Sequence, residues 1–221
     1  MKMMLGLVAL VVVAVVGYFG YSTFKPTAEA SGPLTAAPVA SATASTVYQI
    51  DQESTTARFV IDEILRGEPK TVVGTTNQVA GEIAASLNDI DGAAVGPIKI
   101  NARTLATDAE SRNRMLKNRI LLTEEHEYIT FTPKRMVGLP ESATVGQPIS
   151  FQMVGDLDIR GTVRETTFDV TMTPTASDRL EGTASTSITY ADWGVSIPQV
   201  PSVTGVADQV GLHLDFVATS S

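Results

Sequence analysis

Apolar and polar residues alternate through residues 151–172, and the alternation changes phase once. Before Gly161 the apolar side chains, such as Phe151 and Leu157, occupy odd-numbered positions with mostly polar residues between them. After it they occupy even-numbered positions, beginning with Phe168. A period of two is typical of a β-strand with one buried face. A change of phase at a glycine predicts a tight hairpin, because glycine adopts the backbone angles that such a turn requires.

The first arm of this hairpin, residues 149–159, is long for a β-strand. At about 3.3 Å per residue it would extend roughly 35 Å. A strand of this length with one apolar face needs a large curved sheet to cover it, and a barrel does so without leaving an open edge. We therefore predict a mainly β fold, an extended antiparallel eight-stranded β-barrel.

The rest of the chain contains further short strands and one helix. Thr107 and Glu110 have the spacing of a capping box, which predicts a short helix from about Asp108 to Asn118 that covers one end of the barrel. The other segments that read as strands are 47–50, 56–63, 71–76, 78–86, 96–103, 127–137, 183–190 and 209–217.

Residues 3–24 contain no charged side chain. As a helix they would measure about 33 Å, enough to cross a hydrocarbon core of roughly 30 Å. We predict a signal anchor over residues 1–25 that leaves the rest of the chain outside the cytoplasm. A cleaved signal peptide remains the alternative, because Ala28-Glu29-Ala30 offers a small-x-small cleavage site.

Residues 26–46 are rich in Ala, Pro, Ser and Thr and lack aromatic side chains. This composition cannot form a core and predicts a disordered linker between the anchor and a folded domain at 47–221. The chain carries a formal net charge of -8, which argues against nucleic acid as a partner. Aromatic residues make up only 6% of the chain, which weakly favours a barrel interior that side chains do not fill.

Few residues suggest catalysis or metal binding. The chain has no cysteine and two histidines, and the acidic residues around His126 lack the spacing of a metal motif, so we expect a polar loop there, no metal and no enzyme activity. Four basic residues crowd the predicted helix at 112, 114, 117 and 119. They either attract an anionic head group or form a solvated helix face.

Several segments together resemble the YceI-like family of bacterial envelope proteins. No single motif is highly specific, but their order and spacing along residues 48–221 match the family. The segments are YQIDQESTTARFVI at 48–61, SRNRMLKNRILLTEEHEYITF at 111–131, GDLDIRGTVRETTFDV at 155–170, WGV at 193–195 and VADQVGLHLDF at 206–216.

The resemblance implies a lipocalin-like barrel that binds an isoprenoid lipid, such as an isoprenoid quinone or a polyprenyl phosphate, in an apolar tunnel. We accordingly expect a lipid-binding protein tethered to the bacterial inner membrane by one span, with its barrel in the periplasm and no other cofactor. A homodimer is left open. The alternative is a structural or partner-binding envelope barrel with a filled core.

The apolar faces of the strands supply the expected lining of this tunnel, and the helix supplies two head-group contacts, Arg112 and Arg114. The expected lining residues are Phe59, Ile61, Ile98, Ile100, Phe131, Phe151, Met153, Leu157, Ile159, Phe168, Val170, Met172, Trp193, Leu212, Leu214 and Phe216.

Overall fold

A single antiparallel sheet of thirteen strands dominates the computed structural model, which describes residues 21, 25–39 and 46–220. The strands are β1 (Thr46–Ile50), β2 (Thr56–Leu65), β3 (Glu68–Thr76), β4 (Val79–Ala80), β5 (Glu82–Ser86), β6 (Asp89–Val95), β7 (Ile98–Asn101), β8 (Tyr128–Val137), β9 (Ile149–Ile159), β10 (Thr162–Ala176), β11 (Arg179–Thr189), β12 (Val203–Thr204) and β13 (Gln209–Thr219).

The order of the strands makes the sheet curl into a half-barrel. Along the sheet the order is β4-β7-β8-β9-β10-β11-β13-β1-β5-β6, and β2 joins it by pairing with β13, β3 and β12. Only Gly81 separates β4 from β5, yet β4 pairs with β7 and β5 pairs with β1, at distant parts of this order. The predicted mainly β, antiparallel, curved architecture is confirmed. The sheet is a half-barrel of thirteen strands and not the eight-stranded barrel expected from the sequence, and bends such as Gly81 and residues 51–55 separate consecutive strands.

The hairpin predicted around Gly161 is confirmed. Strands β9 and β10 pair from Thr162↔Ile159 to Met172↔Ile149 without a break in register. Arg160 and Gly161 form the turn, and both have positive φ, 57° and 73°. Two consecutive positive φ angles match the twist of the flanking strands.

The helical segment begins and ends about two residues later than the sequence predicted. Helix α1 spans Glu110–Met115 and continues into one π-helical turn, Leu116–Ile120; two short 3₁₀ helices span Ala102–Thr104 and Tyr190–Trp193. The capping box was wrong. The helix begins after Ala109, which lies too late for Thr107 to cap it, and the Thr107 amide and hydroxyl instead donate to Oδ1 of Asn113 at 2.7 and 2.8 Å.

The core lies on the concave face of the sheet in two main clusters. One surrounds Tyr48, Phe151 and Leu180, and the other surrounds Leu157 and Trp193. Trp193 is buried, and its Nε1–H donates to the Leu157 carbonyl at 2.9 Å. This bond ties the 3₁₀ turn before Gly194 to the C-terminal part of β9.

Residues 25–39, called the strap below, have no helix or strand but lie along the domain. At one end, Asn118 Nδ2 donates to the Lys25 carbonyl at 2.8 Å. At the other end, the Val39 amide donates to Oε2 of Glu82 at 3.0 Å. Between them Leu34 is buried. Residues 26–39 of the predicted linker over 26–46 thus contact the folded domain, and residues 40–45 lie outside the described part.

The strap is held most firmly at Ser31. Its amide and hydroxyl donate to the two carboxylate oxygens of Glu127 at 2.8 and 2.5 Å. Arg103 pairs with the same carboxylate at 2.9 Å and also donates to the Glu29 carbonyl at 3.0 Å. Arg103 and Glu127 have only 14% and 10% of their side chains exposed. A strap whose apolar side chains are mostly alanine and proline is thus held by a nearly buried ion pair of the domain.

The predicted anchor, apart from Tyr21 and Lys25, lies outside the described residues. Within the described part of the chain, no helix is long and apolar enough to span a membrane.

Replacing Glu127 with glutamine should loosen the strap. Hydrogen bonds to a charged group contribute about 1.5–3 kcal/mol, so we expect docking to weaken by roughly 2 kcal/mol. The amide of Ser31 should lose a corresponding part of its protection from hydrogen exchange. Glu125→Gln, on the exposed neighbouring carboxylate, is the control. Equal protection in both variants would contradict the role of Glu127.

The same contact should depend on pH. Burial raises the pKa of Glu127, but the bonds from Ser31 and the charge of Arg103 outweigh it and lower the pKa below its ordinary value. Its contribution to docking is therefore complete above about pH 4.3 and is lost as the pH falls through the lower folded-state pKa. The protection factor at Ser31 should fall in acid in the wild type and stay level in Glu127→Gln.

Replacing Trp193 with phenylalanine should destabilise the domain by about 1–3 kcal/mol, because the buried Leu157 carbonyl loses its donor. Urea denaturation followed by circular dichroism measures the change. The control is Tyr190→Phe in the same 3₁₀ turn, whose hydroxyl has no hydrogen-bond partner among the described residues. If both substitutions cost the same, the Trp193 bond is not the cause.

Candidate functional site

Two adjoining cavities occupy the concave side of the sheet. The inner cavity has a volume of about 160 Å³ and the outer cavity about 540 Å³. Leu105, Ile129, Ile159 and Leu212 border both of them. These four residues form a waist between the cavities, so the two spaces lie in series.

The inner cavity is almost entirely apolar. Its walls come mainly from β7 to β10 and β13, whose inward side chains follow the period of two. Phe131 and Phe168 meet edge-on there, with ring centroids 4.9 Å apart. Arg58 and His213 also border the space. Arg58 forms an ion pair with Asp215.

Most of the lining residues predicted from the sequence border one of the two cavities. Phe59 and Ile61 border the outer cavity, and Ile159 and Leu212 border both. The residues that border the inner cavity alone are Ile98, Ile100, Phe131, Phe151, Met153, Leu157, Phe168, Val170, Met172, Leu214 and Phe216. Binding of a ligand by these residues remains a prediction.

Trp193 is the exception among the predicted lining residues. It borders neither cavity. Its ring packs within the second core cluster and its N–H is used by the Leu157 carbonyl. The sequence placed it in the lining because an aromatic residue stands at the matching family position, but the 3₁₀ turn directs it into the core.

The outer cavity has a mixed wall. Apolar side chains come from β2, from the end of α1 and from residues 195–206. Polar groups also border it, namely Glu63, Arg66, Ser111, Arg112, Tyr190 and Ser202. The outer cavity can therefore hold polar as well as apolar parts of a molecule, whereas the inner cavity suits apolar parts alone.

An ion pair lies in the wall of the outer cavity. Glu63 belongs to the inward set of β2 and is buried, and Arg112 Nη2 lies 3.0 Å from its Oε1. Arg112 also pairs with Asp108 of the preceding turn. Two carboxylates thus neutralise the arginine, which matters because an unpaired buried charge is costly.

The two predicted head-group contacts differ in position. Arg112 borders the outer cavity, as its predicted role requires, but its charge is engaged by Glu63 and Asp108. Arg114 does not border either cavity. Its guanidinium lies 3.9 Å from a carboxylate oxygen of Glu110 on the same helix.

Part of the outer wall comes from a segment that the alternation of apolar and polar residues did not predict. Val195, Ile197, Val200, Val203 and Val206 all border the outer cavity. The signal was present in the run VSIPQVPSVTGV, where apolar residues recur every two or three positions. Two prolines in that run break the strand pattern, so alternation alone did not select it.

The described residues contain no group of three or more His, Asp or Glu side chains that could hold a metal ion. What the geometry can accommodate is an elongated apolar molecule that passes the waist, with a polar end among the hydroxyl and charged groups of the outer cavity.

Solved structures share this fold at low sequence identity. A polyisoprenoid-binding domain from Saccharophagus degradans, implicated in plant cell wall breakdown, matches with a TM-score of 0.62 and 14% identity, over 80% of this chain and 99% of that chain. BcnA of Burkholderia cenocepacia matches with a TM-score of 0.59 and 16% identity, over 77% and 99%. The YCEI protein of Campylobacter jejuni gives 0.55 and 14%, over 67% and 84%.

No curated protein matches the chain. The model of the YceI-like domain does match, and it covers residues 48–218, nearly all of the curled sheet and both cavities. The resemblance expected from the hairpin and the closing strand is thereby confirmed, and this chain belongs to the YceI-like family.

Proposed function

We propose that this protein binds an isoprenoid lipid in the two cavities and holds it at the membrane. The observation that carries the proposal is the pair of adjoining spaces inside the half-barrel, one apolar and one with a polar wall. A similar fold in the Saccharophagus degradans protein is described as a polyisoprenoid-binding domain. We infer that the curled sheet works as a lipocalin-like barrel does, by enclosing one apolar ligand.

Apolar contact supplies the affinity in this proposal. Burial of apolar surface contributes about 25 cal/mol per Å², so a prenyl chain with a few hundred Å² in contact gains several kcal/mol before the losses of binding. The tail passes the waist into the inner cavity, where it contacts apolar side chains such as Leu157 and Phe168. The polar end stays in the outer cavity, because desolvating it without hydrogen bonds would be unfavourable.

Two head-group classes fit the outer wall. The hydroxyls of Ser111, Tyr190 and Ser202 can donate to the carbonyls of a quinone. A phosphate would instead draw on Arg66, which is exposed and has no ion pair with the other described residues. Arg112 supports a phosphate less, because Glu63 and Asp108 already neutralise it.

The strap supports a membrane-tethered role. Its first residue, Lys25, contacts Asn118 and Glu124, so the chain leaves the domain beside the π-helical turn. Leu116 and Ile120 of that turn border the outer cavity. An anchor over residues 1–25 would therefore hold the outer cavity near the membrane, where an isoprenoid lipid resides. The periplasmic location and the homodimer remain predictions from the sequence.

The role is one of binding rather than catalysis. If the protein retains neither a quinone nor a polyprenyl phosphate, the alternative function of a structural or partner-binding envelope domain replaces this proposal.

Lipid retention can be tested with two lysine substitutions in the full-length protein. Leu157 is 3% exposed and borders the inner cavity, so Leu157→Lys should abolish retention or folding, because an unpaired buried charge costs several kcal/mol. Mass spectrometry of solvent extracts measures isoprenoid per mole of protein, and thermal unfolding measures stability. Thr167→Lys, exposed on the other face of the hairpin, is the control and should change neither.

Two results would contradict the proposal. Unchanged lipid content and stability in Leu157→Lys, with losses in Thr167→Lys, would mean that the concave face is not the binding face. The structural or partner-binding role would replace the proposal if the wild-type protein retained no isoprenoid and took up neither a quinone nor a polyprenyl phosphate.

Tethering has a separate test. Membranes washed at high salt and alkaline pH should keep the protein, because about 20 apolar residues would hold it independently of charge. Contacts made by Lys25 and Glu29 lie upstream of the candidate cleavage site, which supports retention of these residues. A mature N-terminus sequenced at Ser31 would contradict the anchor.

A further inference from the structure

Three aromatic rings of the cavities lie directly on glycines of neighbouring strands. A Cβ atom built on Gly74 would lie 2.1 Å from Cε1 of Phe59. The equivalent distances are 2.7 Å from Gly182 to Cζ of Phe216 and 2.8 Å from Gly155 to Cζ of Phe131. Carbon atoms that are not bonded sit about 3.5–4.0 Å apart. No residue other than glycine is therefore compatible with these ring positions.

The backbone does not require glycine at these positions. None of the three glycines has a φ in the left-handed region. A glycine inside a strand weakens it and contributes no side chain to packing. What distinguishes these positions is the ring that approaches each glycine, because a Cβ atom there would have to push the ring away.

Gly74 differs from the other two in what surrounds it. A Cβ on Gly155 or Gly182 would also lie 2.4 Å from a backbone carbonyl oxygen, of Thr132 and Thr171 respectively. At Gly74 the three nearest atoms all belong to the Phe59 ring. A methyl group there would displace this ring and leave the backbone in place.

The displaced ring has one open direction. Gly74 stands directly opposite Phe59 in the β2–β3 pair, so the sheet blocks movement toward β3. On the other side lies the outer cavity, which Phe59 borders together with Leu105 and Leu116. Phe59 also packs against the cluster that contains Leu105 and Leu116, so a ring that moves away from residue 74 takes up part of the outer cavity.

We propose that Gly74 and Phe59 set the width of the outer cavity and so let it admit methyl-branched prenyl chains in addition to thinner unbranched chains. This inference rests on the proposed lipid-binding function and names the feature of the chain that the site selects. A prenyl chain carries a methyl branch at regular intervals and is thicker than a straight alkyl chain of equal length. Narrowing the outer cavity penalises the branched chain more.

The test compares farnesol with 1-dodecanol, which have main chains of equal length with and without methyl branches. Calorimetry on delipidated full-length protein in amphipol measures both affinities. Gly74→Ala should raise the Kd of farnesol by roughly tenfold and the Kd of dodecanol much less, a difference approaching about 1 unit of log Kd. Thr75→Val, on the exposed neighbouring position of β3, is the control and should change neither affinity.

A second substitution tests the cause. Phe59→Leu combined with Gly74→Ala should restore farnesol binding, because the smaller side chain no longer meets the new methyl group. The proposal would be overturned if Gly74→Ala weakened the binding of both alcohols equally or weakened neither. It would also be overturned if the double variant folded without recovering farnesol binding. If Gly74→Ala alone fails to fold, recovery of folding and farnesol binding in the double variant supports the proposal, and failure of both overturns it.

Failure of the lipid-binding function itself would look different. In that case the wild type binds neither alcohol and no isoprenoid lipid. A crystal structure of Gly74→Ala then decides whether Gly74 and Phe59 set the width of the outer cavity. A Phe59 ring turned into the outer cavity supports this role, and an unmoved ring overturns it.

Discussion

Each long strand has one apolar face that has to be buried away from water. The curl of the sheet buries these faces on its concave side. Strands β9 and β10 place Phe151, Leu157 and Phe168 on the same concave side. The curl depends on local breaks in the strands, such as Gly81 between β4 and β5, where the chain leaves one neighbour and joins another. A flat sheet with the same alternation would expose this apolar face along its full length.

The curl also explains why the interior is not full. A sheet of long strands encloses a large volume, and large side chains are needed to fill it. Residues 46–220 contain only five phenylalanines. Three of these rings rest on glycines at the wall, at Gly74, Gly155 and Gly182. The waist at Leu105 and Ile129 then divides the remaining space into an apolar part and a part with polar groups.

Local pattern was enough to predict the hairpin and most of the lining. The alternation in β9, β10 and β13 determines which side chains face inward, and Gly161 marks the turn. The strap could not be predicted this way. Ser31 and Glu127 are separated by 96 residues, and nothing in a run of Ala, Pro, Ser and Thr signals a buried carboxylate elsewhere in the chain. The inward charge of Glu63 was equally invisible, because its partner Arg112 belongs to another element 49 residues away.

The position of β13 has a consequence for how the domain forms. This strand pairs with β11 on one side and with β1 and β2 on the other, and its Asp215 meets Arg58 across 157 residues of chain. Pairings of such high sequence separation form slowly, because the loop must close before any contact stabilises it. During synthesis, β1 can pair with β5 and β2 with β3, but one edge of each strand stays unpaired until β13 has been made. The inner faces of the earlier strands stay exposed to other chains in that interval, so the nascent domain depends most on protection from aggregation just before its last strand arrives.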